Sequence, residues 1–182
     1  MPVKQFLNTF LPISHIPDYQ RSPCQFKKGT FQMTIDAADE LKMYGPFIES
    51  MGQFAPWLVL LDTHCQGDTE NGYTFLTKPD ISIYHRSGKV PEGSFISTKP
   101  NETNTLGQIG AYAGAQLASQ FHTHCFSMYI IHDAAHIIRW ERDGAIVMEP
   151  IYYNIDSALI QFFSQFSQAP PELWGIDTTV SL

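Results

Sequence analysis

The stretch Lys78-Pro79-Asp80-Ile81-Ser82-Ile83-Tyr84 decides how the rest of the chain is read. Proline ends whatever precedes it, because it lacks an N–H and fixes its own φ. Ile81 and Ile83 then alternate with Ser82 and Tyr84, the period-two pattern of a half-buried strand. Asp80 therefore stands at the mouth of a strand. Downstream, Gln108 and Tyr112 are four residues apart in a segment of helical periodicity, which puts both on one helical face.

Working outward from that strand, the pattern predicts a helix from Asp36 to Met51. Ala37, Leu41, Tyr44, Phe47/Ile48 and Met51 form its apolar face, and Asp36 or Thr34 is its N-cap. Trp57 to Leu61 is an apolar run of strand length. His64 to Gly72 is polar and glycine-containing, hence a loop, and Tyr73 to Leu76 is further strand material. Gly88, Pro91 and Gly93 mark a turn before a short strand, Phe95 to Lys99. A helix follows and runs to about Phe121. Its Gly107, Gly110 and Gly114 each cost about 1 kcal/mol against alanine, so close packing on a sheet is expected to compensate. Phe126 to Ile131, His136 to Trp140 and Ala145 to Met148 read as a β-meander, with Asp143-Gly144 as a hairpin signal. Ser157 to Phe166 is an apolar-rich helix ended by Pro170-Pro171. The expected class is α/β: a mixed central sheet flanked by helices over residues 31–168, preceded by an irregular arm (1–30) and followed by a tail or linker (169–182).

Composition narrows the function. The chain has 182 residues, 43% apolar, and a formal net charge of −7, so attraction of the whole molecule to nucleic acid is not expected. Nucleic acid would have to be met through a local groove. No run of eighteen apolar residues predicts a membrane helix, and no cleavable leader is read at the N-terminus. Three widely spaced cysteines, Cys24, Cys65 and Cys125, argue against a disulfide framework and for a reducing, intracellular compartment, cytoplasm or nucleus.

A carboxylate at a strand start, a later short strand ending in Lys99 and a Gln-x-x-x-Tyr helix resemble the motif order of the PD-(D/E)XK nuclease fold. Metal-dependent phosphodiester cleavage needs hard oxygen ligands for Mg²⁺ and a cation near the reacting phosphate. Asp80 would be the first metal ligand and Lys99 the cation. Gln108 and Tyr112 would face the site, and Glu40 would complete the metal shell. The chain departs from the pattern two positions before Lys99, where Ser97 replaces the second carboxylate. Glu92 and Glu102 are close in sequence but lack the Glu-x-Lys spacing. A degenerate site is expected: no resident cofactor, or weakly held Mg²⁺.

Other constellations carry less. His122, His124 and Cys125, the pair His132 and His136, and His64-Cys65 raise zinc, but no C-x-x-C or H-E-x-x-H is present. Cys125 follows His124 without an orienting acid, and neighbours on a strand face opposite ways, so a catalytic dyad is not expected. His85-Arg86-Ser87 is not the H-R-D of a kinase, and D-F-G is absent.

Glu40-Leu-Lys-Met-Tyr44, Lys78 to Tyr84, Leu106-Gly107-Gln108-Ile109 through Tyr112, Ile138 to Val147 and the Phe162-Phe163 helix occur in this order. Together they resemble the region ahead of the catalytic lobes in the fungal-type protein kinase family of mushroom-forming basidiomycetes, over roughly residues 36–182. The resemblance implies a PD-(D/E)XK-type fold with Asp80, Gln108 and Tyr112 at its motif positions. The kinase lobes have no counterpart here, so kinase activity does not carry over. The expected function is a non-catalytic or weakly catalytic nuclease-fold module that recognises a protein or nucleic acid, with no membrane partner. Two alternatives stand beside it. One is a Mg²⁺-dependent nuclease taking its second carboxylate from Glu40, Glu92 or Glu102. The other is an assembly module using Phe162, Phe163 and Phe166.

Overall fold

The computed structural model describes residues 1–21, 24–65, 79–86, 94–97, 102–119 and 121–180, with backbone alone for 94–97, 102–106 and 119. In chain order the elements are α1 (Val3–Phe10), a 3₁₀ turn (Ile13–His15), α2 (Gln32–Ile35), α3 (Glu40–Gly52), β1 (Leu58–Asp62), β2 (Ile81–His85), β3 (Ser94–Ser97) and α4 (Glu102–Ser119). Then come β4 (His124–Ile131), β5 (Ala134–Glu141), β6 (Gly144–Val147), β7 (Ile151–Tyr152), α5 (Ala158–Gln168) and α6 (Pro171–Trp174).

One mixed sheet runs β1-β2-β3-β4-β5-β6, with β7 also paired to β5. β2 pairs antiparallel with both β1 and β3, and β5 pairs antiparallel with both β4 and β6. Among the described strands, only the β3–β4 junction is parallel. A parallel step needs a crossover rather than a hairpin, and α4 supplies it. The order α3-β1-β2-β3-α4-β4 therefore makes a mixed α/β core. The meander β4-β5-β6 and the C-terminal helix α5 follow, as the sequence predicts.

Strand alternation sorts the two faces. Leu58, Leu60, Ile81, Ile83, Phe126, Met128, Ile130 and Ile137 are buried with Phe6 and Leu7 of α1, Tyr44, Phe47 and Met51 of α3, and Leu159, Phe162, Phe163 and Phe166 of α5. The opposite face carries a smaller cluster: Ile109 and Ala113 of α4 against Cys125, Tyr129 and Ile138, with Tyr112 and Trp140 at its margin. Among the described residues, helices thus cover both faces, α4 on one side and α1, α3 and α5 on the other.

Several expectations need correction. The first thirty residues are not irregular throughout: Val3–Phe10 is a helix. Val3, Phe6, Leu7 and Phe10 recur at helical spacing, and α1 buries Phe6 and Leu7 in the main core. The N-cap of α3 is Asp39, whose carboxylate accepts the Lys42 N–H at 3.1 Å; Thr34 lies in α2 and Asp36 closes it. The buried face of the helix runs through Met43, Tyr44, Phe47 and Met51, and Leu41 is 59% exposed. In α4, only Gly110 approaches the sheet closely, beside the Trp140 ring; Gly107 and Gly114 have open space where a Cβ would be. The strand expected at Tyr73 to Leu76 lies outside the described residues. Phe162, Phe163 and Phe166 are buried. At about 1.5–3 kcal/mol each on burial, they are worth far more inside this core than as a self-association face.

Beyond α5, where a tail or linker is expected, the chain is packed as far as Ile176. The indole of Trp174 donates to the Phe166 carbonyl at 2.7 Å and its ring lies 4.8 Å from His85. Gly175 then takes φ +99° and runs against the start of β4, where the Thr123 N–H donates to its carbonyl at 2.7 Å. His124 Nε2–H donates to the Leu173 carbonyl at 3.1 Å, so α6 rests on this imidazole. Burial pushes His124 down to about 4. Between about pH 4 and 6.5 the unfolded chain binds a proton that the folded chain refuses. Stability therefore rises with pH across that window and is lost as pH falls through it. Denaturant unfolding at about pH 4.5, 5.5 and 7 should show a slope that His124→Gln reduces by up to about 1.4 kcal/mol per pH unit. Equal slopes in the two proteins would refute this assignment.

Candidate functional site

Asp80 lies in a bend immediately before β2 and is 5% exposed. Thr63, just past β1, clamps the Pro79-Asp80 dipeptide. Its N–H donates to the Asp80 carbonyl at 2.9 Å and its hydroxyl donates to the Pro79 carbonyl at 2.8 Å. The same hydroxyl lies 3.0 Å from Ser82 Oγ.

The sheet register places the next residues. Asp62 pairs with Ile81, and Ile81 with Ile96. One step along, Thr63, Asp80 and Ser97 fall in a single row, which the pairing of Ser97 with Tyr129 extends onto β4. Residues directly opposed on neighbouring strands project to the same face. Ile81 and Ile83 point at α1, α3 and α5, so Asp80 and Ser82 belong to the face that α4 covers. Gln108 and Tyr112 stand on that helix. Gln108 is exposed, while Tyr112 is half-buried against the cluster of Ile109, Cys125 and Tyr129.

Glu40 comes from the other layer. It opens α3, which packs on the Ile81/Ile83 face, and its Oε1 accepts the Tyr44 hydroxyl at 2.8 Å. Lys99 and Glu92 lie outside the described residues, as does the Glu102 side chain. The donors in the Asp80 row are one carboxylate beside hydroxyl-bearing positions. Among the described residues that is the smallest carboxylate set on which Mg²⁺ sits, with phosphate oxygens and water completing its octahedron. Among the described residues, no group of three His, Cys, Asp or Glu side chains is placed to hold a metal ion.

The histidines and Cys125 are dispersed. His124 faces the main core against Phe126, while Cys125 faces α4, fully buried, and its thiol donates weakly to the Ala113 carbonyl. Burial pushes that thiol up to about 12. His132 occupies the β4–β5 turn at φ +50°, and His136 pairs with Tyr129. A cleft of about 500 Å³ lined by Trp57, His85, Ser167 and Trp174 sits at the far end of β2 from Asp80, ~17 Å away at strand rise.

One cluster was missed by sequence reasoning. Asp62 ends β1, and the turn after it brings His64 back so that the carboxylate holds the imidazole. Cys65 reaches the other ring nitrogen. The Asp-x-His spacing is the signal that pointed to it.

No protein-family model matches the chain, and no curated protein matches it. Among solved structures, a chain in a cryo-EM structure of a DrdV–DNA complex is similar in fold, with TM-score 0.50 and 10% identity. The similarity covers 80% of this chain and 14% of that one. At that identity it shows the fold alone. No helix among the described residues is long and apolar enough to cross a membrane.

Proposed function

We propose that this chain is a nuclease-fold module that recognises nucleic acid, with a metal site too poor in carboxylates for efficient strand cleavage. The observation that carries the reading is the register that sets Asp80 opposite position 97, next to the parallel β3–β4 junction. The neighbour of similar fold, solved in complex with DNA, supports the choice of nucleic acid as ligand. Charge distribution supports it as well. Although the net charge is −7, four of the eleven basic residues, Lys78, Arg86, Lys89 and Lys99, fall within 78–99, against two acids, Asp80 and Glu92. A locally basic segment around Asp80 is what phosphate contacts require. The likeness in motif order to the region ahead of fungal-type kinase lobes fits an accessory recognition role inside a reducing cell compartment.

Fluorescence anisotropy with a labelled DNA duplex tests the proposal. At low salt, binding is expected in the micromolar range, with a log–log salt slope of about −3 to −4 if all four cations meet phosphates. Lys78→Ala combined with Lys99→Ala should make that slope shallower by about 2. No change in anisotropy at low salt, with duplex or single strand, would overturn the assignment.

A further inference from the structure

The turn after β1 holds a hydrogen-bonded thiol, imidazole and carboxylate that play no part in the reading above. Asp62 Oδ1 accepts from the His64 backbone N–H at 3.2 Å, an Asx-type turn, and also binds His64 Nδ1. Across the ring, His64 Nε2 lies 2.9 Å from Cys65 Sγ. Tyr44 braces the imidazole, ring to ring at 5.4 Å, and is itself anchored to Glu40. Neighbours on an extended strand point apart, but β1 ends at Asp62, and the turn that follows swings Cys65 back onto the ring.

The roles follow from this order. With Nδ1–H given to a carboxylate, the neutral ring presents its Nε2 lone pair to the thiol. Nε2 then takes the proton, leaving a thiolate beside an imidazolium that Asp62 stabilises. The group is accessible: the His64 and Asp62 side chains are 30% and 40% exposed, and Cys65 is exposed. Cys24 is also exposed, and Cys125 is buried, so the chain carries its own controls.

We propose that Cys65 is a reversible oxidation site for small hydroperoxides, activated by His64 and oriented through Asp62. The thiolate sulfur attacks one peroxide oxygen, so an S–O bond forms and the O–O bond breaks. Sulfur is oxidised to the sulfenic acid, the peroxide is reduced, and the leaving hydroxide takes the proton from His64 as water. A thiol reductant restores the cysteine.

The test is hydrogen peroxide treatment of the full chain near pH 6, with dimedone trapping and peptide mass spectrometry of all three cysteines. Cys65 is expected to be trapped about tenfold faster than Cys24, with Cys125 unlabelled. His64→Gln should bring Cys65 to the Cys24 rate. Asp62→Asn, which leaves the ring in place, should slow it at least about threefold. Circular dichroism confirms that both variants remain folded. Equal rates at Cys65 and Cys24 in the unsubstituted chain, or a Cys65 rate unchanged in both variants, would overturn the proposal. Neither readout involves DNA, so the result is independent of the nucleic-acid reading.

Discussion

Gly175→Ala is expected to lower stability by about 3 kcal/mol, or roughly 6–12 °C in thermal midpoint for a domain of this size. Two effects add. Gly175 has φ +99°, where an L side chain is strained by about 1 kcal/mol. A Cβ there would also sit 1.8 Å from the His124 carbonyl oxygen, a backbone atom in β4 that cannot swing aside. To relieve the contact, α6 must leave the sheet, and with it go the hydrogen bonds from Thr123 and His124 to the Gly175 and Leu173 carbonyls. Gly29 separates the two causes. Its φ is +88° but nothing lies within 4 Å of its Cβ position, so Gly29→Ala should cost only the dihedral strain, about 1 kcal/mol. Differential scanning calorimetry on both variants decides the matter. Equal losses would mean that α6 is not wedged against β4.

Why the alanine contrast escapes the sequence bears on how much of this protein is legible there. Period-two alternation at Ile81 and Ile83 and the apolar rhythm of α3 and α4 are local signals, and they yield the helix–strand order correctly. Phases are harder. The cap of α3 is Asp39 rather than Asp36 or Thr34, and its buried face takes Met43 rather than Leu41, since packing against the sheet decides which of two neighbouring apolar rows faces inward. In the arm, Pro2, Pro12, Pro17 and Pro23 drew attention away from the Val3, Phe6, Leu7, Phe10 spacing, although Pro2 merely precedes α1 and Pro12 follows it. Gly175 is invisible for another reason: its constraint comes from a carbonyl fifty-one residues earlier in the chain. At the candidate site, the alignment of Asp80 with Ser97 depends on register, which follows from pairing rather than from either strand alone. The Asp62–His64–Cys65 group was passed over because His64 and Cys65 read as the start of a polar loop, with nothing local to tie them to Asp62.

Ser97→Glu should convert the Asp80 row into a divalent-metal site, and this is the sharpest consequence of the register. A glutamate at 97 would share a row and a face with Asp80. Two carboxylates brought together without a counter-ion repel one another, one of them close to fully buried. The variant is therefore expected to melt below the unsubstituted chain in chelator. Mn²⁺ reverses the sign of the interaction, because the ion sits between charges that otherwise oppose each other. By calorimetry, Ser97→Glu should bind Mn²⁺ at least about tenfold more tightly than the unsubstituted chain, whose single carboxylate leaves it weaker than about millimolar. At a hundredfold excess over Kd, mass action should then raise stability by about 2.7 kcal/mol, which more than offsets the repulsion. Adding Asp80→Asn to Ser97→Glu removes both the penalty in chelator and the gain in metal. A midpoint in chelator that does not fall, together with Mn²⁺ affinity that does not rise, would mean that position 97 does not meet Asp80. The nuclease-like reading of the β2–β3 pair would then fail on geometry, whatever the outcome with DNA.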